Sequence, residues 1–173
     1  MTTSGSTGGM EPPQSGLFGI VLAGGASRRF GSTKQLAEFR GQPLVARAML
    51  LAEAVCGEQS VLVAGNQWLL VAAACAPLAG YLVVNPDFAE GLGSSIVAGV
   101  SAVAGSATGI LLLMADQPLI DARDITALIG AYSKRQQGTS VVVPQVAGQP
   151  GNPVIFSAAV REQILAGDAT LGC

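Results

Sequence analysis

The sequence predicts an α/β fold, with a mostly parallel sheet covered by helices on both faces. Three observations carry that expectation. Short β-branched apolar runs alternate along the chain with segments of helical period, the pattern of repeated strand–helix units. Half of the 173 residues are hydrophobic and only 12% are charged, which suits strands buried on both faces. Two stretches carry no charge at all, Val61 to Val84 and Ser95 to Ala115. Each is too interrupted to be one element. The first holds Gly65, Asn66, Gln67, Pro77 and Gly80, and the second Gly99, Ser101, Gly105, Ser106, Thr108 and Gly109. Both read as strand and helix pieces joined by turns, not as membrane spans.

The opening segment, MTTSGSTGGMEPPQSG, has no apolar run of the kind a secretory signal needs. Residues 1–16 are expected to form a flexible tail, with Met10 as an alternative start, ahead of a single domain over 17–173. Leu17 to Leu22 reads as the first strand. Pro43 to Val55 reads as a helix, with Pro43 near its first turn and Leu44, Ala48, Leu51 and Val55 on one face. Gly57 is its stop. Ser60 to Ala64 is the second strand, Gln67 to Ala76 a helix and Tyr81 to Val84 the third strand. Ser94 to Val103 is a helix and Ile110 to Met114 the fourth strand. Asp121 to Arg135 is a helix opened by acids and closed by bases, as its dipole favours. Ser140 to Val146 and Val154 to Phe156 are later strands, and Ala158 to Leu165 is the last helix.

Composition excludes several chemistries. The chain has no His, so Ser-His-Asp hydrolysis, Cys-His proteolysis and His-ligated zinc are ruled out. The three cysteines, Cys56, Cys75 and Cys173, form no CxxC pair and suggest a reducing compartment. A cytoplasmic location is the expectation, with Cys56 and Cys75 facing the core. The formal net charge of -2 offers nothing to nucleic acid as a whole. Five of the nine basic residues nevertheless fall in one segment, as Arg28, Arg29, Lys34, Arg40 and Arg47, with Glu38 the sole acid between them. A local cationic segment on an acidic protein points to a small anion.

In parallel α/β sheets, ligands sit beyond the carboxyl ends of the strands. The loops expected there are Ala23 to Lys34, Asn85 to Ser95 and Ala115 to Leu119. In the first, paired glycines let backbone N–H groups approach an anion. Arg29 can fork onto phosphate oxygens and Lys34 adds a compact charge. The loop matches neither common phosphate fingerprint. Gly31 is followed by Ser32 and Thr33 before Lys34, and Gly24 and Gly25 are adjacent. In the third loop Asp116 follows an apolar strand, where a carboxylate suits Mg²⁺ whose shell substrate phosphates complete. In the second, Ser94 and Ser95 open a helix, a position for anion or nucleobase contact. Each loop alone also has a plainer reading: a flexible glycine loop with solvated bases, a turn-forming Asp, a simple cap. Together they form a layout for a nucleoside triphosphate with Mg²⁺.

The segment VLAGGASRRFGSTKQL resembles the N-terminal signature of the MobA-like nucleotidyltransferases, LAAG or LAGG followed by SxRxGxxK. NPDFAEGLGSSIVAGV, LLLMADQPL and GQPGNPVIF are similar to the branch that makes molybdenum cofactor cytosine dinucleotide, with guanylyltransferases as near neighbours. The resemblance covers residues 17–168. It implies a three-layer Rossmann-like nucleotidyltransferase fold. It also implies a reaction in which a nucleoside triphosphate and a molybdopterin-type cofactor give a dinucleotide and pyrophosphate, for a recipient molybdoenzyme. Leu22, Ala23 and the Gly24-Gly25 backbone would hold the nucleotide with Ser94 and Ser95. Arg29 and Lys34 would neutralise the triphosphate, and Asp116 would bind Mg²⁺. The family's GDxGxR pattern makes Asp168 a second metal or pterin contact. Here Gly167-Asp168 continues as Ala169-Thr170-Leu171-Gly172-Cys173, so the C-terminus is expected to be shorter than in relatives.

Gly24 bears on the base. CTP-using members favour Ala at this position, and a missing methyl would leave room for a purine, whereas the downstream motifs favour CTP. CTP is the expectation and GTP the alternative. A sugar-phosphate nucleotidyltransferase and a non-catalytic carrier of the finished cofactor are the other readings.

Overall fold

The computed structural model describes residues 16–24, 34–77 and 80–167. Of the expected N-terminal tail, all but Gly16 lies outside them. In chain order the elements are β1 (Leu17–Ala23), a 3₁₀ turn at Lys34–Leu36, β2 (Glu38–Phe39), β3 (Gln42–Pro43) and α1 (Leu44–Cys56). Then come β4 (Ser60–Ala64), α2 (Trp68–Ala74), β5 (Tyr81–Val84), a 3₁₀ turn at Phe88–Glu90, α3 (Leu92–Ala102), β6 (Gly109–Met114) and α4 (Ala122–Ser133). The chain continues with β7 (Val141–Val142), β8 (Gln145–Val146), β9 (Gln149–Pro150), β10 (Val154–Ser157) and α5 (Ala158–Leu165).

Six strands make the central sheet, in the order β5-β4-β1-β6-β10-β7. The first four are parallel, and β10 runs antiparallel between β6 and β7. Side-chain alternation sorts the core into two layers. Leu17, Val21, Leu111 and Leu113 pack with Val45, Met49, Val71, Ile125 and Ile129, so α1, α2 and α4 cover one face. Phe18, Ile20, Leu22, Ile110 and Leu112 pack with Ile96, Val100 and Val160, so α3 and α5 cover the other. Close approach of α3 depends on Gly99, where a Cβ would lie 2.8 Å from Ile20 Cγ2 and 2.9 Å from Val63 Cγ2.

The expected three-layer architecture is borne out, and the charge-free stretches resolve into β4, α2, β5, α3 and β6. Among the described residues no helix is long and apolar enough to cross a membrane. Several boundaries differ from expectation. Helix α2 is shorter than Gln67 to Ala76, because Gln67 caps it in a left-handed conformation. Helix α3 begins at Leu92 behind Gly91, so Ser94 and Ser95 lie inside its first turns and do not open it. The capping box of α4 is formed by Asp121 and Asp124, and the bases expected at its end lie just beyond it. There, Arg135 Nη1 donates to the Tyr132 carbonyl at 2.7 Å.

The expected strand from Ser140 to Val146 is broken in two. Pro144 between the pieces has no N–H to give a sheet ladder. Its second half turns back through Ala147 and Gly148, both at positive φ, to pair with β9. Arg40 and Gly41 make a similar two-residue turn between β2 and β3. Neither hairpin was expected, although a Gly closing a two-residue turn is a signal for one.

Cys56 and Cys75 are buried and unpaired, as expected. Burial pushes both thiols up to about 12, and at Cys75 the nearby Glu53 carboxylate adds to it. Since the thiolate is the reactive form, neither should react with iodoacetamide in the folded protein at pH 8. Rapid alkylation of either, found by mass spectrometry of the native protein, would contradict this packing.

Candidate functional site

The carboxyl ends of β1 and β6 lie side by side, because Leu22 and Met114 are ladder partners. The Ala115 N–H extends the ladder one step, donating to the Leu22 carbonyl at 3.0 Å. The chain then leaves each strand, and a cavity of about 280 Å³ opens above them. Gly24 and Asp116 face it from the two strand ends, Gln35 from the 3₁₀ turn, Phe88 from the segment between β5 and α3, and Ser95 from the first turns of α3. This is the edge where such sheets bind ligands.

At its edge, Asp116 takes part in a contact across 82 residues of chain. Lys34 Nζ donates to Asp116 Oδ2 at 2.9 Å. Both side chains are more than a third exposed, so the pair is open to solvent and to competing ligands. Asp116 offers hard carboxylate oxygens. Among the described residues no group of three or more His, Cys, Asp or Glu could hold a metal ion unaided. The residues therefore fit a divalent cation only as Mg²⁺ is usually held, by one or two carboxylates with substrate phosphates completing the shell.

Arg40 and Arg47, the other described cations of the basic segment, have other partners. Arg47 donates from Nε to the Pro118 carbonyl at 3.1 Å and from Nη2 to the Ile120 carbonyl at 3.2 Å. It anchors the loop behind Asp116. Arg40 stacks over Phe39, 5.2 Å from the ring centroid. Clustering in the sequence therefore overstates the positive charge available to an anion, because two of the five cations serve local structure.

Of the residues expected at the site, Leu22, Gly24, Ser95 and Asp116 line the cavity. Ala23 is buried in the core under α1. Ser94 Oγ is turned into its own loop, 2.8 Å from the Asp87 carbonyl and 2.9 Å from that of Gly91. Gly25, Arg29 and Asp168 lie outside the described residues. The room expected beside Gly24 is already filled: a Cβ there would lie 2.5 Å from Ser95 Oγ. Absence of the methyl thus admits a serine from α3 and adds no space for a purine.

Sequence reasoning missed Gln35, Phe88 and Asn85. Asn85 is only 3% exposed and donates from Nδ2 to both Ser94 Oγ and Ser95 Oγ, each at 3.0 Å. Its position directly after a strand, ten residues before Ser95, was the available signal.

Residues 19–172 match the family model described as the MobA-like NTP transferase domain. The chain belongs to this family. The MobA-like domain is 31% identical over 165 residues to the nicotine blue oxidoreductase of Paenarthrobacter nicotinovorans, covering 88% of this chain and 78% of that one. It is 37% identical over 117 residues to the molybdenum cofactor guanylyltransferase of Xanthomonas euvesicatoria, covering 68% and 56%. Among solved structures it resembles Rv0371c of Mycobacterium tuberculosis H37Rv, with a TM-score of 0.76 at 29% identity over 90% of this chain and 77% of that one. The same protein has been solved in complex with manganese, with a TM-score of 0.73 at 26% identity over 87% and 76%. The expected family and its nucleotidyltransferase fold are both borne out.

Proposed function

We propose that this MobA-like domain transfers CMP from CTP to the terminal phosphate of a molybdopterin-type cofactor, releasing pyrophosphate. The observation that carries the reading is the cavity at the β1–β6 edge, lined by Gly24 and by Asp116, whose carboxylate Lys34 holds. A bond forms between an acceptor phosphate oxygen and the α-phosphorus, and the bond from that phosphorus to the β-bridging oxygen breaks. The reacting groups are anions, so the barrier is largely electrostatic. Lys34 offsets the triphosphate charge and follows it as pyrophosphate departs. In this reading Arg29 adds a second cation and the Gly24-Gly25 backbone carries the nucleotide. Asp116 would hold the divalent cation, proposed as Mg²⁺, with Asp168 as a further metal or pterin contact. Bound there, the ion would supply positive charge to the phosphate oxygens. An acceptor phosphate already ionised at neutral pH has little need of a general base. A cytoplasmic location and delivery to a recipient molybdoenzyme belong to the same reading.

Ser95 supports CTP over GTP, because its hydroxyl occupies the space that Gly24 would otherwise have left for a purine. GTP is the second reading, favoured by the guanylyltransferase name of the 37% identical relative. Thermal shift with CTP, GTP, ATP and UTP, each with Mg²⁺, tests both. A ligand at a hundred times its Kd adds about 2.7 kcal/mol, or roughly 5–10 °C for a domain of this size. CTP is expected to give the largest rise. A larger rise with GTP moves the base assignment, and no rise with any nucleotide removes the proposed substrate class. Pyrophosphate release then separates a transferase from a carrier, and from a protein with the redox role named in the other relative.

A further inference from the structure

Asp116 is the charged residue among the described lining of the cavity, and its ion pair with Lys34 does not account for the cavity's shape. Phe88 and Ser95 line it from the turn after β5 and from the first turns of α3, and one buried side chain ties these together. The Asn85 N–H extends the β4–β5 ladder by donating to the Ala64 carbonyl at 2.8 Å. Asn85 Oδ1 accepts from the Asp87 N–H at 3.0 Å, while Nδ2 reaches Ser94 Oγ and Ser95 Oγ. A single amide thus joins the sheet edge, the turn leading to Phe88 and the first turns of α3. Asn85 does not line the cavity, whereas Ser95 and Phe88 do. The two contacts it supports are tight. A Cβ on Gly24 would lie 2.5 Å from Ser95 Oγ, and one on Gly65 would lie 2.4 Å from Phe88 Cβ.

We propose that Asn85 is a positioning residue that sets the width of the nucleotide cavity, by holding Ser95 against Gly24. The proposal rests on the nucleotide reading above. An amide suits the task because it supplies two donors and an acceptor at once. A buried network of this kind holds its members in one arrangement only while it is fully satisfied. Gly24 and Ser95 are then a coupled pair. With the hydroxyl in place, a methyl at Gly24 collides. Without it, the nearest Ser95 atom is Cβ at 3.5 Å, an ordinary contact.

The test is calorimetric titration of CTP and of GTP, with Mg²⁺, into the full chain and four variants. These are Asn85→Ala, Gly24→Ala, Ser95→Ala and the Gly24→Ala/Ser95→Ala pair, with thermal midpoints and steady-state kinetics alongside. Asn85→Ala is expected to weaken nucleotide binding on the order of tenfold, the usual scale for a group that orients a contacting one. The kinetic loss should fall on KM more than on kcat, and the preference between the two bases should narrow. Gly24→Ala should weaken binding to a similar extent, and adding Ser95→Ala should restore most of the loss, a coupling that only neighbours show. If Asn85→Ala lowers the thermal midpoint but leaves affinity and base preference unmoved, Asn85 is merely structural and the proposal falls. It falls equally if the double variant binds no better than Gly24→Ala, a comparison that holds even where Asn85→Ala does not fold. Wild-type protein that binds neither nucleotide overturns the nucleotide reading as well, which distinguishes the two failures.

Discussion

Asp116→Ala is expected to lower the rate of pyrophosphate release by about 10²–10³, the loss typical of removing one preorganised charge-stabilising group. The carboxylate stands just past β6, where the ladder to β1 ends and the cavity begins. Among the described lining residues nothing else carries a negative charge, so none of them can take over a cation. The fold should survive. Asp116 is partly exposed in a turn, and its partner Lys34 is also more than a third exposed, so the lost ion pair costs about 1 kcal/mol or less. A near-native thermal midpoint with turnover lowered by that factor is the expected pair of results. Undiminished pyrophosphate release from Asp116→Ala would remove this residue from the reaction.

Lys34→Met should cost a similar factor in turnover while acting in the opposite sense on metal binding. The ammonium holds Asp116 Oδ2 at 2.9 Å, so a divalent cation must compete with it for the carboxylate. Methionine keeps much of the length of the stem and removes the charge. Manganese binding without nucleotide, followed by the paramagnetic signal of free Mn²⁺, should therefore tighten in the variant. In wild-type protein, added nucleotide should tighten it as well, since a triphosphate offers Lys34 a new partner. Mn²⁺ affinity unchanged by Lys34→Met would show that the ion pair does not guard the carboxylate, and would argue against Asp116 as the metal's holder.

Much of the fold was legible because the signals for it are local. Ser60–Ala64, Tyr81–Val84 and Ala158–Leu165 lie where the sequence predicts them, since apolar runs and helical period need no distant partner. The misreadings also have local physical reasons. Pro144 splits one expected strand, and Gly91 starts α3 two residues early. The short hairpins at Arg40-Gly41 and Ala147-Gly148 contain too few residues to show alternation. At the site, the charged types and their loops were visible, but their partners were not. Arg47 looked like part of an anion cradle and instead holds the loop behind Asp116.

By itself, the sequence determined the alternation of strands and helices, the two-sided burial of the sheet and the family signature in the first loop. These depend on spacing within a few turns of chain. Only the tertiary structure decided that Lys34 meets Asp116, and that Ser95 fills the space beside Gly24 under the hold of Asn85. Lys34 and Asp116 are 82 positions apart in the chain, and Gly24 and Ser95 are also distant in sequence. These contacts exist because parallel pairing of β5, β4, β1 and β6 brings the ends of four separate strands to one edge, a constraint that no local stretch of sequence expresses.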